Sequence, residues 1–124
     1  MLSDSRLLIV EEQFLIAIDI QRVLEGANAL QTVFARNYEE VAALLNERPA
    51  DFHLVILTPP RRGTGDDDLA GRLIDAGAAV VVCTAARIDL GGTRLEGAEL
   101  IYKPFQDDEL LAACRRALEK RRRP

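Results

Sequence analysis

The chain reads as an α/β protein whose parallel sheet carries helices on both faces. Three observations lead there. Leu7-Leu8-Ile9-Val10, His53-Leu54-Val55-Ile56-Leu57 and the stretch from Ala78 to Cys83 are apolar runs without alternation. That is the pattern of strands buried on both sides. Between the runs, apolar residues recur at helical spacing. Each run then gives way to polar residues, and ligand sites of open α/β sheets lie beyond the carboxyl ends of their strands.

Taken in order, Leu7 to Val10 forms the first strand and closes on Glu11-Glu12. From Gln13 the period changes. Ile16, Ile20, Val23 and Leu24 share one helical face, and Gly26 is a stop signal. Phe14, Leu15 and Ile18 lie on the opposite face, where they read as a candidate interaction patch. Leu30 to Ala35 is a weaker strand suited to a sheet edge. Asn37 with Glu40 resembles a capping box that opens a helix, with Val41, Ala42, Leu44 and Leu45 inward and Pro49 as its end.

The third strand ends at Thr58, and two prolines stop it there. Pro59 to Asp68 is a polar loop whose Gly63-Thr64-Gly65 lacks the spacing of a phosphate-binding loop. Asp66, Asp67 and Asp68 belong at a helix N-terminus, where acids complement the dipole, followed by a short helix over Leu69 to Ala76. The fourth strand ends in Thr84-Ala85. Arg87 to Gly97 has helical patterning weakened by Gly91, Gly92 and Gly97, which predicts a short, distorted or melted element. Glu99 to Tyr102 is the fifth strand, followed by Lys103-Pro104-Phe105. A final helix opens on Asp107, Asp108 and Glu109, turns Leu110, Leu111, Cys114 and Leu118 inward, and ends in a basic tail over 120–124.

With 124 residues, no internal repeat and no linker, the chain reads as a single domain over 1–124. A net charge of -4 argues against broad nucleic-acid binding, the basic tail being a local exception. Cys83 and Cys114 have neither metal-site nor redox-motif spacing and read as reduced cytosolic thiols. One histidine excludes an ordinary zinc site. The sequence shows neither a signal peptide nor an apolar run of membrane-spanning length, so the expectation is a cytoplasmic protein without membrane contact.

The residues at the carboxyl ends of the strands are Glu11, Glu12, Thr58, Thr84 and Lys103. With Leu8-Ile9-Val10-Glu11-Glu12, Gly63, Thr84-Ala85 and Lys103-Pro104-Phe105 in order, the chain from about Arg6 to Glu119 resembles the receiver domain of two-component response regulators. The resemblance implies a flavodoxin-like (βα)5 fold with strand order 2-1-3-4-5. It also implies phosphoryl transfer to an aspartate at the end of the third strand, beside a Mg²⁺ ion held by acids. By position, Glu11 and Glu12 match the family's acid pair, Thr84 its switch hydroxyl and Lys103 its lysine.

Thr58 stands where the acceptor aspartate belongs. A hydroxyl is neutral at pH 7 and needs a base or metal to become a nucleophile, and threonine also removes one metal-binding carboxylate. Glu12 is longer than the usual aspartate, Arg62 replaces a usual proline and the fourth helix is short. Leu100 takes the place of the family's rotating aromatic, with Tyr102 expected to face the other way.

The expectation is a pseudo-receiver in phosphorelay signalling, with a vestigial site of Thr58, Thr84 and Lys103 and a vestigial acid pair of Glu11 and Glu12. Lys103 should then pair with Glu11 or Glu12, and Thr58 is a candidate to hydrogen-bond into the same group. No enzymatic activity is expected, and Mg²⁺ binding should be weak or absent. The partner would be a histidine kinase, another regulator or a second copy in a homodimer, docking on Phe14, Leu15 and Ile18. The alternatives are a receiver that phosphorylates a non-standard acceptor and a small-ligand sensor using the pocket above Thr58.

Overall fold

A computed structural model describes residues 6–29, 31–47 and 51–122, the side chain of Arg122 excepted. The expected strand start at Leu30, the helix-ending Pro49 and the last two residues of the basic tail lie outside the described residues.

The elements run β1 (Arg6–Val10), α1 (Phe14–Gly26), β2 (Gln31–Ala35), α2 (Tyr38–Glu47), β3 (Leu54–Leu57), α3 (Asp66–Asp75), β4 (Ala79–Thr84), β5 (Glu99–Tyr102) and α4 (Asp107–Arg122). The five strands form one parallel sheet in the order β2-β1-β3-β4-β5. Register is continuous across it, with Leu8 paired to Val33 and to Val55, and Val55 to Val80. Strand alternation then sorts the core into two layers. Leu7, Ile9, Leu54, Ile56, Val81 and Cys83 pack under α1 and α4 through Ile20, Leu24, Leu110 and Cys114. Leu8, Val10, Val55, Leu57, Val80 and Val82 pack under α2 and α3 through Tyr38, Val41, Ala70 and Leu73. The unalternated runs thus reflect a sheet covered twice.

The helix ends depart from the sequence reading in instructive ways. Gly26 lies within α1, and the chain reverses at Asn28, whose φ of 70° takes the left-handed conformation that Asn tolerates. At α2, Asn37 caps the Glu40 amide at 3.0 Å, but the Glu40 carboxylate turns back to the Arg36 amide at 2.8 Å, one residue earlier than a reciprocal box would place it. The helix α3 starts at Asp66 rather than Leu69, so all three aspartates form its first turn.

No helix forms between β4 and β5. Residues 85–98 run as bends and turns, held by the Ala98 amide on the Leu95 carbonyl at 3.0 Å and the Thr93 hydroxyl on the Leu90 carbonyl at 2.6 Å. Thr93 and Asp89 satisfy local backbone groups without a helix, and the glycines add to the cost of forming one. Leu95 is nonetheless fully buried, and Arg94 lies across α3 to pair with Asp75. Gly71 makes that approach possible, because a Cβ there would sit 2.8 Å from an Arg94 guanidinium nitrogen and 3.1 Å from its Cγ.

Both cysteines are buried free thiols. Burial pushes Cys114 up to about 12 and Cys83 up to about 11, nearby Lys103 offsetting part of the shift at Cys83. At pH 8 only about one Cys83 thiol in a thousand, and an even smaller share of Cys114, is ionised. A disulfide reagent should therefore label neither cysteine of the native chain within minutes, and both once the chain is denatured. Rapid native labelling of Cys83 would contradict this account.

Candidate functional site

The carboxyl edge of the sheet gathers the polar residues, as parallel topology requires, but it divides them into three groups. Glu11, directly after β1, is buried, and its Oε1 meets Lys103 Nζ at 2.5 Å. Its Oε2 accepts the Gln13 amide at 3.1 Å, capping the start of α1 in place of a Gln13 side-chain cap. The Lys103 amide in turn donates to the Thr84 carbonyl at 2.8 Å, which fixes the lysine beside β4. The ammonium is therefore drawn down onto the first strand, with both partners largely out of water.

Thr84 is engaged locally. Its buried hydroxyl donates to the Ala86 carbonyl at 3.0 Å and accepts the Ala86 amide at 3.2 Å, closing a small turn at the strand end.

Thr58 belongs to a third group. Its amide donates to the Val10 carbonyl at 3.1 Å, continuing the ladder, and its carbonyl accepts the Tyr38 hydroxyl at 2.6 Å. Among the described residues it is the backbone of Thr58, and not its hydroxyl, that is hydrogen-bonded, so the expected bond from Thr58 into the Glu11–Lys103 pair does not form. Thr58 instead lines a cleft of about 250 Å³ with Glu12, Arg36, Tyr38, Arg61 and Asp66. Glu12 is exposed at this mouth while its neighbour Glu11 is buried.

From the sequence, Asp66 reads only as a helix-start acid and Tyr38 as an ordinary residue, yet both shape this cleft. The Tyr38 phenol is pushed well above its usual range by burial and by the charges of Asp66 and Asp67, which keeps it a proton donor to Thr58. Asp66 is buried, which by itself opposes ionisation. The Arg61 guanidinium at 3.1 Å and the Arg61 amide at 3.0 Å outweigh that and hold its carboxyl below the ordinary range, while the Thr64 hydroxyl accepts the Asp66 amide at 3.2 Å. The Thr64-Gly65-Asp66 spacing, with Arg61 five residues before the acid, is the signal that could have revealed this latch.

The first-helix patch is exposed. Phe14, Leu15 and Ile18 are 72%, 81% and 40% exposed, and Phe34 of the edge strand β2 adds a fourth apolar side chain at 41%. Phe14, Ala17, Ile18 and Phe34 border one small apolar cleft of about 180 Å³. Phe34 reads from sequence as an ordinary strand residue, because nothing local shows that α1 leaves the edge strand partly uncovered. Tyr102, expected to face away from Leu100, lies on the same side of β5, two residues on, and stands about half exposed.

No protein-family model matches the chain, and no curated protein matches it in sequence. Among solved structures the fold is shared by response regulator receivers. A response regulator receiver protein from Sinorhizobium medicae superposes with a TM-score of 0.76 at 17% identity, over 98% of this chain and 99% of that one. The chemotaxis protein CheY4 of Vibrio cholerae gives 0.72 at 16% identity, over 94% and 100%. The response regulator PhyR of Brucella abortus gives 0.70 at 25% identity, over 94% of this chain and 49% of that one. The five-stranded parallel sheet in the order 2-1-3-4-5 with its flanking helices is thus the flavodoxin-like receiver fold.

Proposed function

We propose that this chain is a receiver-like module of two-component signalling that works through phosphorylation-independent protein contact. The observation that carries the reading is the state of the strand ends. A threonine occupies the acceptor position, and the lysine that resembles the family's phosphoryl-binding lysine is committed to Glu11. A nucleophile for phosphoryl transfer at neutral pH needs an anion or an activating base, and Thr58 has neither within its hydrogen bonds. A magnesium ion fits the donor set poorly. It requires near-octahedral oxygen ligands, whereas Glu11 is already paired with Lys103, Glu12 is exposed to water, and a hydroxyl stands in place of the third carboxylate. The chain accordingly has no enzymatic role in this reading, and its site residues are structural remnants.

The contact surface in this reading is the exposed side of α1, where Phe14 and Ile18 border one apolar cleft with Phe34 and Leu15 stands exposed beside them in sequence. A histidine kinase, another regulator or a second copy would dock there, in the cytoplasm. Among the described residues no helix is long and apolar enough to cross a membrane. The cleft over Thr58 favours a ligand sensor less, being small and lined by charged pairs rather than the apolar walls of a typical ligand pocket.

The test is the Phe14→Glu/Ile18→Glu double variant, assayed for association with the partner purified from source cells. Association should be lost while the thermal transition stays within a few degrees of the parent. Unchanged association would exclude the α1 face.

A further inference from the structure

We propose that a second copy of this chain occupies the α1–β2 edge, joining the two sheets through antiparallel pairing of their β2 strands. The inference rests on the reading of the α1 face as a docking surface and names its partner.

Three observations converge on a second copy. First, the outer edge of β2 is open, since β2 pairs only with β1 among the described residues. The Ala35 carbonyl accepts the Glu11 amide, so Ala35, Val33 and Gln31 turn their backbone groups towards β1. In a parallel ladder both groups of a residue point to one side and alternate along the strand, which turns the amides and carbonyls of Thr32 and Phe34 outwards.

Second, the edge carries none of the usual protection. Gln31-Thr32-Val33-Phe34-Ala35 contains no charge, no proline and no glycine. The opposite edge strand differs, because Glu99 on β5 is held by Arg116 and by Lys120 at 2.6 Å. At β2 two copies can approach without setting any charged side chain of the paired strands opposite another.

Third, the geometry is self-complementary. A two-fold axis at Val33 sets Phe34 of one copy across from Thr32 of the other as a hydrogen-bonded pair, in which all four outward backbone groups find partners. Thr32 and Phe34 register with Leu7 and Ile9, on the face covered by α1. The same axis therefore brings Phe34, Ile18 and Phe14 of both copies to one side of the joined sheet, where an exposed patch becomes a shared apolar layer.

Sedimentation velocity over a concentration series tests this. The parent chain should shift from monomer to dimer as concentration rises. Thr32→Pro deletes an outward amide that the fold does not use, and Phe34→Lys places a charge beside the axis, across from Thr32. Both should lose the dimer while keeping the parent's circular dichroism and thermal transition. A parent chain that stays monomeric at its highest soluble concentration overturns the inference, as does a dimer that survives both substitutions. A monomeric chain that still binds a different protein through Phe14 and Ile18 overturns it too, while leaving the proposed signalling role standing.

Discussion

Lys103→Met should destabilise the fold by about 3–5 kcal/mol, because it strands a buried carboxylate without its counter-ion. Glu11 has one oxygen on Lys103 and the other on the Gln13 amide, and burial leaves water little room to replace the ammonium. The Glu11→Gln/Lys103→Met double variant should recover most of the loss, since the amide keeps an acceptor for Gln13 and carries no charge to neutralise. Urea unfolding followed by circular dichroism gives both numbers. The coupling between the sites is the informative quantity, and near-additive losses would show that Lys103 and Glu11 do not act as a pair.

Leu95→Ala should cost about 2–5 kcal/mol, as large as a truncation inside a regular helix or strand. The expectation is notable because Leu95 lies in a stretch without regular secondary structure. Its side chain is fully buried between α3 and the sheet, Arg94 spans α3 to Asp75, and the Arg94 amide donates to Asp67 at 3.1 Å. A segment held this way belongs to the core. If it were a loose loop, the substitution would fall within about 0.5 kcal/mol of the parent, as surface changes do. A lower urea midpoint at an unchanged slope identifies the first case.

Much of the architecture can be read in the chain because each layer leaves a local signature. The continuous apolar runs of β1, β3 and β4 announce burial on two faces, and the acidic first turn of α4 marks its start. Glu99 to Tyr102 is bounded by Gly97 before it and Lys103-Pro104 after it, so β5 falls where it is expected. What the sequence hides depends on distant partners. The α3 start shifts to Asp66 because Arg61 supplies the bonds that bury that acid. The exposure of Phe34 follows from where α1 happens to end its cover. Thr58 and Lys103 are tied by their backbones to different strand ends, Val10 for one and Thr84 for the other. All five residues lie at strand ends as expected, and of the expected bonds among them the Lys103–Glu11 pair forms while none is made by the Thr58 hydroxyl.

The most direct measurement weighs the intact chain after incubation with acetyl phosphate and Mg²⁺. This account predicts an unmodified mass. A stoichiometric phosphate adduct that Thr58→Ala abolishes would contradict it.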